Sequence, residues 1–369
     1  MNITYAYSTK KTARDVVKDI TTQLHGFDTR LLIFFASSKF RPAVISAAIH
    51  KAFPKSVVFG CSTAGEIVSG NLLQDSVVAM AFNSRAITDC KVEIIDNLKE
   101  PDAVKKAMDS FSAHYKSPVT KMDPRKYVGI VLIDGLSFAE EDLMQKISSM
   151  TNVHFIGGSA GDDLKYKSTY IYANGKSFAN AALLALIKPA TQFAFIKTQS
   201  LDNVGKTLEI TSANKEKREV ISIDNRPAAA AYADAVGTDF VNLSKYFMKN
   251  PLGFMLENEL YVITPQQILD NGNIKFYSSV NEGMELSLLR PSDIIADTKA
   301  AIKKADDELG GISGLLMFNC VMRTLELYEN DQADQYGALF ADIPTAGFST
   351  YGEQYIVNLT LTSLMLAFK

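Results

Sequence analysis

Three segments repeat one pattern of glycine, hydroxyl and acid. They are Gly60-Cys61-Ser62-Thr63-Ala64-Gly65-Glu66, Gly157-Gly158-Ser159-Ala160-Gly161-Asp162-Asp163 and Gly347-Phe348-Ser349-Thr350-Tyr351-Gly352-Glu353. The first and third agree at five of seven positions. Glycine lets a backbone approach closely or turn at positive φ. Consecutive N–H groups beside Ser and Thr hydroxyls make a cradle for a carboxylate or phosphate. The closing acid supplies one fixed negative charge, suited to an ammonium group. A site with both polarities suits a zwitterion such as an amino acid. The candidate ligand contacts are therefore Gly60, Cys61, Ser62, Thr63 and Glu66; Gly158, Ser159 and Asp162; and Ser349, Thr350, Tyr351 and Glu353. The same residue types also build self-capping turns, with the acid bonded to its own backbone. A phosphate-binding P-loop is excluded, because Glu66 stands where that loop needs lysine.

Arg323, in Asn319-Cys320-Val321-Met322-Arg323, offers a two-donor fork for a ligand carboxylate. An ion pair closing a domain interface is the competing reading. Cys61 and Cys320 could serve a thiol-dependent enzyme, but only beside a base or in an electropositive pocket. The chain has four histidines, His25, His50, His114 and His154, and no metal-ligand spacing among them. A lone histidine can still be an axial haem ligand, and the sequence does not select which. No catalytic residue, metal ligand or resident cofactor is otherwise evident.

The whole chain bounds these readings. Its 369 residues call for two domains or three. Hydrophobic residues make up 47%, enough for a large core, and charged residues 21%. The formal net charge of −3 gives no global pull toward nucleic acid or anionic lipid. Three cysteines, Cys61, Cys90 and Cys320, give neither a disulfide framework nor a zinc finger. No apolar run approaches the roughly 18 residues of a membrane span, and no secretory leader is present. The expected compartment is the cytoplasm.

Each glycine segment needs an element to deliver it. Leu31 to Ala36 is a buried-strand run, Pro42 opens a helix, and Ser56 to Phe59 is a strand leading into Gly60. Tyr127 to Ile133, a helix over Phe138 to Ser149 and a strand over Val153 to Ile156 lead into Gly157. Leu315 to Phe318 and a helix over Arg323 to Asp334 precede Gly347. From Leu31 to Gly60, from Val128 to Gly157 and from Leu315 to Gly347 the spacing is 29, 29 and 32 residues. Strand–helix–strand units of this size imply parallel pairing with a right-handed crossover. Thr9 or Thr12 caps a first helix that stops at Gly26. Asn174-Gly175 signals a hairpin between Ser168–Ala173 and Ala179–Ile187. Thr211 to Glu219 is polar and charged and reads as a linker or exposed hairpin. The expectation is an α/β protein: two mixed α/β domains, 1–220 and 221–369, built from strand–helix–strand units with mixed sheets.

Taken together, the three glycine segments, Cys320-x-x-Arg323, Pro227-Ala228 with Tyr232, and Asn281-Glu-Gly283 resemble the FIST family, in family order and over about residues 30–360. Met322 replaces the glycine that the family carries before its arginine. The resemblance implies a FIST N-terminal domain followed by a FIST C-terminal domain. It implies a bacterial-type sensory protein that binds a small ligand, often suggested to be an amino acid, and relays this to a signalling partner. It also implies, as an alternative, a sensor of nitric oxide through haem b. With no output module fused at either end, the expected partner acts in trans, such as a histidine kinase or a cyclic-dinucleotide enzyme.

Overall fold

A computed structural model describes residues 1–256 and 259–369. The chain forms two compact units. The first comprises Met1–Lys197, Lys299–Asn358 and Ser363–Lys369; the second comprises Thr198–Thr298 with Leu359–Thr362.

The first unit is one motif built three times. Its first repeat runs β1 (Ile3–Ser8), α1 (Ala13–Gln23), β2 (Leu31–Ser37), α2 (Pro42–Ala52), β3 (Val57–Thr63), the hairpin β4 (Glu66–Val68) and β5 (Asn71–Leu73), and β6 (Val77–Phe82). The second runs β7 (Ile87–Ile95), α3 (Ala103–Tyr115), β8 (Val128–Ile133), α4 (Glu140–Met150), β9 (Phe155–Ser159), the hairpin β10 (Ile171–Ala173) and β11 (Lys176–Phe178), and β12 (Ala182–Pro189). The third opens with β13 (Phe193–Thr198) and is then interrupted by the second unit. That unit contains β14 (Leu201–Asn214), β15 (Glu219–Ile223), β16 (Arg226–Pro227), α5 (Ala228–Val236), β17 (Leu252–Leu256), β18 (Glu259–Ile263), β19 (Pro265–Ile268), β20 (Ile274–Phe276) and β21 (Glu285–Pro291). The third repeat resumes with α6 (Ile294–Leu309), β22 (Gly314–Cys320), α7 (Val321–Glu329), α8 (Ala333–Ala338), β23 (Thr345–Thr350), the hairpin β24 (Glu353–Tyr355) and β25 (Val357–Leu359), and β26 (Ser363–Phe368).

Three six-stranded sheets follow, with identical order: β1-β6-β2-β3-β10-β11, β7-β12-β8-β9-β24-β25 and β13-β26-β22-β23-β4-β5. Four strands of each come from its own repeat, and the last two are a hairpin donated by another. The second repeat completes the first, the third completes the second, and the first completes the third. In every sheet the central pair is parallel (β2/β3, β8/β9, β22/β23), and the pairs flanking it, such as β2/β6, β8/β12 and β22/β26, are antiparallel.

Local chemistry explains these elements. Thr12 Oγ1 accepts the Asp15 N–H and caps α1, and Pro42 sits in the first turn of α2, where its missing N–H costs nothing. Strand β2 is an unbroken apolar run because both of its faces are covered. Leu32, Phe34 and Ala36 pack with Val16 and Ile20 of α1 and Ile45 and Ile49 of α2. On the other face Phe35 meets Phe318 and Phe348, with ring centroids 6.4 and 4.6 Å away.

Several expectations change. Strand β10 pairs with β11 across Asn174 and Gly175, whose φ values of 46° and 83° suit a tight hairpin turn. Residues 182–187 instead lie between β7 and β8 in another sheet. The helix expected over Arg323–Asp334 breaks at Asn330, and Asp331 has a φ of 55°. The glycine segments begin inside strands β3, β9 and β23 rather than in loops. The division at residue 220 falls within the second unit. The third repeat packs with the first unit, because its sheet takes in β4 and β5.

The second unit by itself is an antiparallel sheet with the order β18-β17-β21-β14-β15-β20-β19, with β16 beside β15. Of the polar stretch from Thr211, residues 211–214 end β14 and Glu219 opens β15; only Lys215, Glu216 and Lys217 form an exposed turn, and Arg218 is buried. Helix α5 packs Ala228, Ala229 and Tyr232 onto Val220, Ile223 and Phe276.

Candidate functional site

Each third strand carries a glycine that meets its parallel neighbour. A Cβ on Gly60 would lie 1.6 Å from the Phe34 carbonyl oxygen, one on Gly157 1.7 Å from that of Val131, and one on Gly347 2.3 Å from that of Met317. These glycines let adjacent strands close up, and a ligand is not needed to explain them. Two residues further on stand Ser62, Ser159 and Ser349, which are equivalent by register.

The three serines join in a ring. The Ser62 N–H donates to the Tyr170 carbonyl at 2.9 Å, the Ser159 N–H to Gly352 at 2.8 Å, and the Ser349 N–H to Gly65 at 2.8 Å. In return the Gly161 N–H donates to the Ser62 carbonyl at 3.0 Å, Tyr351 to Ser159 at 3.1 Å, and Ala64 to Ser349 at 3.2 Å. Residues as far apart as Ala64 and Ser349, 285 positions along the chain, thus meet. The amides expected to form an open cradle are already bonded to one another. Side chains reinforce the ring. Ser62 Oγ donates to the Gly161 carbonyl at 2.8 Å and accepts the Tyr170 N–H at 2.9 Å. Ser349 Oγ shares a hydrogen bond with Thr324 Oγ1 at 2.8 Å. Gln354 Nε2 donates to Ser159 Oγ at 3.2 Å.

The acids are buried. The Thr63 hydroxyl donates to Glu66, and the Thr350 hydroxyl donates to Glu353 in the same way. Glu66 Oε2 also accepts the Ser76 hydroxyl at 2.6 Å and the Ser76 N–H at 3.0 Å. Burial pushes the Glu66 carboxyl up to about 7; the Ser76 and Thr63 bonds oppose this, and Asp163 adds to it. By strand register the middle repeat has Ile171 where the others have Glu66 and Glu353. It carries instead a longer loop, 160–170. There Asp162 accepts the amides of Tyr166, Lys167 and Ser168 and the Tyr351 hydroxyl, the last at 2.5 Å. Burial alone would raise the Asp162 carboxyl, but these donors more than offset it and hold it below its ordinary value. The rings of Tyr166 and Tyr351 stack at 5.0 Å.

Arg323 lies in the first turn of α7 and is 2% exposed. Its Nε donates to Asn319 Oδ1 at 3.3 Å. Asn319 Nδ2 donates to Thr324 Oγ1 at 2.9 Å, and Thr324 reaches Ser349. Arg323 is therefore two hydrogen-bonded neighbours from the ring. Gly158 faces Thr350, whose Cγ2 a Cβ would meet at 2.5 Å.

All thirteen candidate contacts thus fall in the first unit. Cys61 is fully buried and burial pushes its thiol up, opposite to what a nucleophile needs. Three of the four histidines are engaged by neighbours, and His25 is exposed just after α1. The His154 ring packs against Phe195 and Tyr355, with centroids 5.6 and 5.8 Å away. His114 Nε2 bonds Asp89 at 2.9 Å, and His50 faces the turn at Gly175. Among the described residues no group of His, Cys, Asp and Glu is placed to hold a metal, and no helix is long and apolar enough to cross a membrane. The sequence reading missed Ser76, Asn319 and Thr324 as members of the site; Ser76 and Asn319 stand at strand ends, and Thr324 lies in the first turns of α7. It also missed Ser37 and Ser38, which directly follow the apolar run from Leu31 to Ala36.

A comparison with curated proteins finds no match. The chain does match the FIST N domain over residues 30–226 and the FIST C domain over residues 228–356, and it belongs to the FIST family, whose domains are generally sensory domains for small ligands in signal transduction.

Proposed function

We propose that this protein senses a free amino acid at the serine ring and passes the change to a partner protein. The carrying observation is the convergence of Ser62, Ser159 and Ser349 beside buried carboxylates of both Glu66 and Glu353, with Arg323 close by. Hydroxyls and Arg323 supply donors for a carboxylate, and Glu66 or Glu353 receives an ammonium group. The closed ring is compatible with sensing. A ligand that enters must replace bonds between repeats, so it binds an opened arrangement better than the closed one, and that difference is the signal.

Isothermal titration of the individual free amino acids into the full chain and into Arg323→Lys tests this. Lysine keeps the charge and loses the fork. At least one amino acid is expected to bind, roughly tenfold more weakly to the variant, the loss of about one charge-assisted bond. Equal affinities would remove Arg323 from the site, and no heat with any amino acid would remove the reading.

A further inference from the structure

Strand β2 ends at Ser37, and Ser38 follows it; neither takes part in the ring. The Lys39 N–H donates to Ser37 Oγ at 3.2 Å, and Lys165 Nζ donates to Ser38 Oγ at 2.8 Å. Each hydroxyl, already accepting, has its proton to give. Both give it to Oδ2 of Asp163, at 3.2 Å from Ser37 and 2.5 Å from Ser38. Lys165 Nζ stands 3.4 Å from the same oxygen. Three donors therefore converge on one carboxylate oxygen, with the charge assistance that makes such bonds strong. The place is the carboxyl end of a parallel strand just before a helix, where α/β sheets hold ligands.

The carboxylate found there belongs to the chain itself, in the loop that only the middle repeat possesses. Its placement is opposed from two sides. Asp163, Leu164 and Tyr166 have φ values of 56°, 60° and 51°, which L-residues adopt only under constraint. Asp163 also stands near enough to Glu66 to disfavour that acid's charged form. The Asp163 side chain is 22% exposed and that of Lys165 48%, so solvent reaches the cluster.

We propose that Ser37, Ser38 and Lys165 form a binding site for a ligand carboxylate, and that Asp163 is its built-in, displaceable occupant. A ligand carboxylate that takes over the two hydroxyls releases the strained loop. That loop holds Tyr351 of the third repeat through Asp162 Oδ1 and through the Leu164 N–H, which donates to Tyr351 Oη at 2.8 Å. Release therefore reaches the serine ring. The site does not depend on Arg323 holding a ligand, so it and the amino-acid reading stand or fall separately.

Amide hydrogen exchange on the full chain, with acetate as the probe and chloride at equal ionic strength as the control, tests the proposal. In Asp163→Ala the amides of residues 164–168 are expected to exchange roughly tenfold faster than in the wild type, the loss of about one charged hydrogen bond. In the wild type acetate speeds exchange over the same amides, because it displaces Asp163; in Asp163→Ala, where the loop is already released, it adds nothing there. No effect of acetate on the wild type, or an equal acetate effect in Ser38→Ala, overturns the site. If Asp163→Ala does not fold, Ser38→Ala alone decides. It is expected to speed exchange over the same amides, and unchanged exchange there overturns the proposal.

Discussion

A carboxylate removed from water needs a cation, a set of donors, or a proton. Glu66 is bonded to two hydroxyls and one amide, not to a cation, and burial outweighs those donors. Asp163 faces it with a like charge, and the Tyr328 phenol lies within its field. The ordinary value of 4.5 rises to about 7 on folding. The folded chain therefore binds the proton more tightly than the unfolded one. This contribution is fully present below about pH 4.5, falls away as the pH rises, and is gone above about pH 7. It amounts to on the order of 3 kcal/mol. Glu66→Gln keeps the shape and cannot ionise. Urea unfolding at pH 5 and pH 8 should show the wild type losing more stability than the variant between the two. Equal losses would mean that Glu66 is ionised throughout. A buried, protonatable role was not legible from the sequence, where Glu66 reads as a fixed negative charge closing a glycine segment. Its burial comes from a strand contributed by residues 345–350, and no local pattern announces that strand.

The donated hairpins are the elements that tie the repeats together. Strand β4 places Val68 opposite Ala346 and Ile67 opposite Gly347, some 280 residues away in the chain. Ile67 is fully buried over that glycine. Truncating it by Ile67→Ala should cost roughly 2–5 kcal/mol, as buried Ile→Ala changes do. The distinctive expectation is where the damage appears. Hydrogen exchange should quicken at the amides of Thr345–Thr350 in the third repeat more than in β2 of the first. Loss of protection confined to the first repeat would show that the exchanged pairing carries little stability. The three strand–helix–strand units were readable, because β2, β8 and β22 are continuous apolar runs followed by helices at regular spacing. The exchange was not. Three-residue strands hold too few side chains to encode a register, and pairing across hundreds of residues leaves no periodic trace. The Asn174-Gly175 turn was recognised, yet its second strand was placed in β12 because the apolar run there outweighed the short polar β11.

At the scale of the molecule, the second unit is an insertion between β13 and α6, at the place where the other repeats pass directly from outer strand to helix. The two ends of the insertion are neighbours. The Ser292 N–H donates to the Ser200 carbonyl at 2.9 Å, and Leu201 lies opposite Pro291. Its core is its own: the cluster around Tyr232, Phe247 and Phe276 draws only on residues 208–288. The clusters beneath α1 and α2 and beneath α3 and α4 draw on none of them. Deleting residues 201–291 and joining Ser200 to Ser292 through a short glycine-containing turn should therefore leave all three six-stranded sheets intact. Such a loop closure adds little entropy cost, because the joined residues are already adjacent. The shortened chain should unfold cooperatively, and the amides of β22 and β26 should stay protected from exchange. The deletion does remove Thr264, whose hydroxyl bonds that of Thr360 at 2.9 Å, so faster exchange limited to residues 359–362 is expected. If instead β22 and β26 lose protection, the third repeat is not self-sufficient. The inserted unit would then be part of the fold that positions Ser349 and Arg323, and the serine ring could not be treated as the property of the first unit alone.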